Sequence, residues 1–301
     1  MDSLDRLRRG CAAVAERAEH VHIERDAIPA YAASLPAETP TAEPDPHLTT
    51  GTREERAAFW LTLDAINFGS GWFPTLRKRE GRSGYYTIAA GVRDHAPWGA
   101  SELEALTGAE LGAVLGQDPG HELMALFAAS LNDLGRHVTS EFDGRFAVVV
   151  DAADGSASTL VQTLSRWACF SDTSTYEALE LPFLKRAQIA AADLHRVGLL
   201  GAHDLGRLTM FADNLVPHVL RLDGVLRFGP ELAQRIDREE LIEHGSREEV
   251  EIRACAVHAI ELIVAERPGS RASGIDQLLW NRGQGQAYKS RPRHRARCTA
   301  Y

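Results

Sequence analysis

Along this chain apolar side chains recur mostly three and four residues apart, the spacing that lines one face of a helix. Leu4, Leu7, Cys11, Val14, Ala15 and Ala18 follow it, so a helix is expected from around Asp5 to roughly Val21. Residues 35–51, LPAETPTAEPDPHLTTG, hold four prolines and read as a loop or linker. Three Ser/Thr-x-x-Glu patterns follow, at Thr52–Glu55, Thr107–Glu110 and Ser246–Glu249. In each, paired side chains can satisfy the orphan amides of a helix start, and each precedes an apolar-periodic run. Further helices are expected near 121–139, 156–167, 183–197, 230–243, 247–266 and 274–281, and Pro230 after Gly229 suits a helix opening. Two short β-rich runs, YYTIAAGV at 85–92 and FAVVV at 146–150, are expected to be strands that can pair. The fold class is therefore mainly α with a small β element. Residues 1–281 are expected to form one domain, and any division into two lobes to fall near residues 140–155.

Composition narrows the functional classes. The 301 residues are 25% charged and 44% hydrophobic, ordinary for a soluble globular protein with chain enough to bury a sizeable core. No apolar run approaches the roughly 18–20 residues that span a bilayer. The opening MDSLDRLRRGCAAVAERAEH lacks the apolar stretch of a signal peptide, so a cytoplasmic protein without a membrane partner is expected. Cys11, Cys169, Cys255 and Cys298 form no CxxC pair and are expected to be reduced thiols. The net charge of −9 is uneven. Arg282, Lys289, Arg291, Arg293, Arg295 and Arg297 stand in the last twenty residues with no acid, which leaves −15 on residues 1–281. So acidic a body argues against duplex nucleic acid as a partner. The basic stretch 282–301 is expected to be a flexible, solubilising tail.

Four segments carry candidate chemistry. In LTMFADNLVPHVL, 208–220, Asp213 stands alone in an apolar background. It is either a helix-capping residue or a partly desolvated carboxylate set for catalysis. In PFLKRAQIAAADLHRVG, 182–198, Lys185, Gln188 and Asp193 punctuate an amphipathic helix. Adjacent Lys185 and Arg186 either belong to a solvated face or hold a monophosphate. In GIDQLLWNRG, 274–283, Asp276 and Trp280 lie four apart and share a helix face. The pair is either an N-cap with a core Trp, or a carboxylate and stacking ring for a guanine-like base. FWLTLDAINFGSGWFP, 59–74, ends in a turn where Asn67 and Phe68 either line a pocket or pack in the core. The 246–264 helix is assigned structural duty, with Glu249, Glu251 and Arg253 compatible with solvent or salt bridges.

Taken together, INF at 66–68, FLKRAQIAAADL at 183–194, LTMFADNLVPHVL at 208–220, EVEIRA at 249–254 and IDQLLW at 275–280 resemble the queuosine salvage protein family. The KRAQ and LTMFAD strings are the specific ones. Asn214 stands where an aromatic is expected, His218 where Gln is expected, and FGSGWFP where a compact aromatic run is expected. The resemblance implies hydrolysis of queuosine 5′-phosphate to queuine and ribose 5-phosphate, with no metal or other cofactor, in a helical architecture similar to that of helical DNA glycosylases. It makes Asp213 the carboxylate that stabilises an oxocarbenium-like sugar. Asp276 then takes the N1–H and 2-amino edge of the base, and Phe211 and Trp280 stack on it. His47 reaches the base by resemblance alone, Lys185 with Arg186 faces the phosphate, and Asp193 supports catalysis or partners Lys185. Queuine has carbon in place of N7, so the usual protonation site of a purine leaving group is absent and a tight base pocket is needed. A sequestering protein that binds without cleaving, and a glycosylase acting on bases within nucleic acid, stay open as alternatives.

Overall fold

The computed structural model describes residues 2–36 and 47–301; the 37–46 part of the expected loop lies outside them. The helices, in chain order, are α1 Ser3–Arg17, α2 Ile28–Ser34, α3 Arg53–Ala65, α4 Gly84–His95, α5 Ala100–Ala105, α6 Gly108–Val114, α7 Glu122–Glu141 and α8 Phe146–Asp151. Then come α9 Ala157–Leu164, α10 Lys185–Arg196, α11 Leu215–Leu222, α12 Pro230–Asp237, α13 Arg247–Ala265, α14 Ala272–Gly283 and α15 Gln286–Lys289. The strands are β1 Val21–Ile23, β2 Thr173–Tyr176, β3 Leu179–Pro182 and β4 Leu226–Phe228. β1 pairs antiparallel with β4, and β2 with β3. The fold is mainly α with a small β element, but the β element is not where the sequence pattern placed it.

Both expected strands are helices, for identifiable reasons. Residues 85–92 lie in α4, where Ser83 caps the start by accepting from the amide of Tyr86. Residues 146–150 lie in α8, whose first amides, Phe146 and Ala147, donate to the Glu54 carboxylate of α3 at 2.7 and 2.8 Å. That distant acceptor satisfies the helix start and overrides the β preference of three consecutive valines. Conversely α1 ends at Arg17, before the expected Val21, because β1 takes over from Val21. There the buried Glu251 carboxylate accepts from the amides of Glu19, His20 and Val21 at 3.1, 2.6 and 3.2 Å.

Two large apolar clusters fill the interior, beside a small third one of Ala296, Cys298, Ala300 and Tyr301. One gathers α3 to α9 with α10; the other gathers α1, α2, the strands and α11 to α14. The chain passes between them more than once from Tyr176 to Ala212, so no single cut near 140–155 separates them. The stretch expected to be a solvated tail is packed. Ala296 and Tyr301 are buried, the Gly69 amide donates to the Tyr301 carbonyl at 3.0 Å, and the Ile242 amide to the Arg295 carbonyl at 2.9 Å. All four cysteines are free and buried. Among the described residues no helix is long and apolar enough to cross a membrane.

Candidate active site

A cavity of about 970 Å³ opens between the two clusters, and most of the candidate residues meet in its wall: His47, Asn67, Phe68, Lys185, Asp193, Phe211, Asp213, Asp276 and Trp280. Arg186 does not. Neighbours on a helix point about 100° apart, so when Lys185 faces the cavity Arg186 turns into the core. There it donates to the Ala65 carbonyl at 2.5 Å and stacks over the Phe68 ring at 5.0 Å. The adjacent pair therefore forms no phosphate clamp.

The 208–214 stretch crosses the cavity wall without regular structure before α11 begins. Asp213 combines both of its expected roles. Its Oδ1 accepts from the amides of Leu215 and Val216 at 2.8 and 3.1 Å, which serves the first turn of α11 and fixes the carboxylate. Its Oδ2 has no hydrogen-bond partner among the described residues. Asp276 is buried on α14, and its Oδ1 accepts from the Phe211 amide at 3.0 Å. Burial, and then the charge of Asp213, push its carboxyl well above the usual carboxylate range.

Lys185 opens α10 and is buried; its Nζ donates to the Asn67 carbonyl at 2.6 Å and to Asn67 Oδ1 at 3.0 Å. Three donors against two acceptors leave one N–H for the cavity. Burial brings the ammonium down to about 8, opposed by the charge of Asp213. Asp193 pairs with Arg196, not Lys185, at 2.9 Å. Its carboxyl is raised by burial in spite of that partner.

An aromatic wall completes the site. Trp280 meets Tyr85 and Tyr86 edge-on at 5.9 and 6.0 Å between ring centroids. His47 Nε2 lies 2.9 Å from the Tyr85 hydroxyl, and its ring 4.9 Å from that of Trp60. Trp60, Tyr85 and Tyr86 were not anticipated. Reading 85–92 as a strand hid the last two, although Ser83 three residues before Tyr86 is an N-cap signal. The basic residues Lys289, Arg291, Arg293 and Arg295 also reach the wall. Their signal lies in RHRARCTAY, where His294, Ala296, Cys298 and Ala300 alternate with the more exposed Arg293, Arg295, Arg297 and Thr299, the period-two pattern of a half-buried extended segment. Asn214 and His218, the two departures from the family's residues in the 208–220 string, hold this segment. The Asn214 amide donates to the His294 carbonyl at 3.1 Å, and His218 Nε2 lies 3.0 Å from the Tyr288 carbonyl.

The family model for the queuosine salvage protein matches residues 47–301, from His47 to Tyr301. The chain belongs to the queuosine salvage protein family. A relative from Sphaerobacter thermophilus, named queuosine 5′-phosphate N-glycosylase/hydrolase, is 34% identical over 308 residues, covering 96% of this chain and 95% of its own. One of the same name from Bos taurus is 29% identical, covering 83% of both chains. Another from Mus musculus is 31% identical over 57% of this chain and 56% of its own. The family match takes in the packed 282–301 segment, in agreement with its place in the cavity wall.

Proposed function

We propose that this protein hydrolyses the N-glycosidic bond of queuosine 5′-phosphate to release queuine. The observation that carries the reading is the placing of two carboxyl groups around Phe211. Asp213 is fixed by two amides with one oxygen unpartnered, and Asp276 lies beside an aromatic wall. The queuine ring lies against Phe211 and Trp280, and its N1–H and 2-amino group meet Asp276. Asp213 stabilises the positive charge that grows on the sugar as the bond to the base lengthens, and orients the attacking water. The bonding pair leaves with the base, the water oxygen joins C1′, and one water proton passes to the base. Fixing the carboxylate in advance means that it need not reorient as the charge develops.

The 5′-phosphate is favoured by the charge of the wall. Eight Lys or Arg side chains line the cavity against four carboxyls among the described residues, in a chain of net charge −9. A cleft of one sign focuses the field and raises the local concentration of an anionic substrate. Lys185 and the cations of the 289–295 stretch are the phosphate-facing groups in this reading, which replaces the Lys185–Arg186 pair. We place the reaction in the cytoplasm, with a small-molecule substrate.

The test is incubation of the purified protein with queuosine 5′-phosphate in EDTA, following free queuine by mass-resolved chromatography. Release over many turnovers is expected. Stoichiometric binding without release would replace this reading with a sequestering protein.

A further inference from the structure

We infer that Arg253 is a positioning residue for this reaction, locking the turn that carries Asp213 to the helix end that carries Lys185. The inference rests on the roles proposed above for those two groups. Helix α13 reads from sequence as a structural helix with solvated or paired charges, yet Arg253 and its neighbours Glu249 and Glu251 are fully buried. Arg253 does not line the cavity, so it cannot touch a substrate there. Its contacts run instead to two segments that do.

Arg253 Nε donates to the Ala212 carbonyl at 3.0 Å, the carbonyl directly before Asp213. Its Nη2 pairs with Asp172 Oδ2 at 2.6 Å. The same oxygen accepts from the Lys185 amide at 3.1 Å, and the Asp172 carbonyl accepts from the Leu184 amide at 3.1 Å. Leu184 has φ 49°, in the left-handed region that a leucine adopts only where its surroundings hold it. Asp172 supplies that hold, and Arg253 anchors Asp172.

The guanidinium carbon lies over the Phe183 ring at 3.9 Å and the Tyr301 ring at 4.7 Å, while Glu249 lies 3.7 Å from Nη1. Two acceptors in different directions and two stacked rings call for a planar, multidentate cation, which lysine does not provide. Glycosidic cleavage depends on where Asp213 sits relative to the anomeric carbon. A shift of about 1 Å in a reacting group costs on the order of 100-fold in rate.

The experiment compares R253K, D172N and D213N in the full chain. It reads melting temperature, kcat and KM for queuosine 5′-phosphate, and Kd for queuine. For R253K we expect a cooperative melt, kcat per folded molecule lower on the order of 100-fold, and queuine affinity falling far less than kcat because Asp276 and Trp280 sit on α14 and only Phe211 lies on the loosened turn. D172N keeps an oxygen for the Lys185 amide but loses the charge opposite Arg253, so kcat falls in the same direction. Should R253K fail to fold, D172N carries the comparison. Wild-type kcat in the folded variants, or losses of kcat and queuine affinity that merely follow the folded fraction, would overturn the inference and leave the function standing. Full turnover by D213N would overturn the catalytic reading itself.

Discussion

At the scale of single residues, Asp213 and Asp276 are two carboxyl groups set to opposite purposes by their surroundings. Asn in place of Asp213 keeps an oxygen for the Leu215 and Val216 amides. D213N should therefore fold normally while turnover of queuosine 5′-phosphate falls at least about 100-fold, measured as kcat at saturating substrate. Asp276 behaves differently because burial raises its carboxyl well above the ordinary range. Below the unfolded value both states hold the proton. As pH rises past it the unfolded chain ionises first, so the stability this group contributes falls with pH, and the loss is complete once the pH passes its raised folded value. D276N removes that loss and keeps the oxygen that accepts from Phe211. Its melting temperature relative to wild type is thus expected to rise as pH increases from the carboxylate range toward neutrality. Queuine meets Asp276 through two N–H donors that favour the ionised form, so binding to the wild type should release a proton and tighten with rising pH. D276N should bind queuine at least about tenfold more weakly and lose that pH dependence, both readable by calorimetry in buffers of different ionisation heat. An unchanged proton release in D276N would assign the linkage to another group.

At the scale of elements, what the sequence made legible was local, and what it hid was long-range. The Thr52 and Thr107 capping boxes form as expected because both partners lie within one turn. The Ser246 box is incomplete. Glu249 turns inward toward the Gly245 amide and Arg253, which is itself held by Ala212 and Asp172 far along the chain. FAVVV at 146–150 carries every local mark of a strand, and only the Glu54 carboxylate on another helix makes it α8. E54A should then destabilise the protein by about 1–2 kcal/mol through two unsatisfied helix amides, with kcat per folded molecule unchanged. Urea unfolding beside a turnover assay checks both. A lowered kcat at equal folded fraction would show that α8 reaches the site. The same distinction explains the candidate residues. Asp213, Asp276 and Trp280 stood out by type and spacing, whereas Arg186 failed because helix phase, not adjacency, decides which side chain faces the cavity.

At the scale of the whole molecule, the net charge hid its own arrangement. Six cations without an acid resemble a solvated tail, and only the alternation of His294, Ala296, Cys298 and Ala300 marks the segment as packed. Packing carries Arg293 into the cavity wall, where it is half-buried and has no ion-pair partner among the described residues. Burial lowers its guanidinium in spite of Asp213 nearby, so its charge is costly there unless a ligand shares it. A 5′-phosphate is such a ligand. R293A is expected to raise KM for queuosine 5′-phosphate at least about tenfold, the value of one charge-assisted contact, and to change KM for the unphosphorylated nucleoside little. The two substrates should also part with ionic strength. Raising salt weakens the field of the cationic wall, so KM for the nucleotide climbs while that for the nucleoside stays nearly flat. R293A should flatten that salt response along with the affinity. Equal losses for nucleotide and nucleoside would instead mean that Arg293 shapes the cavity through packing, and the phosphate would fall to Lys185 and the other cations of the wall.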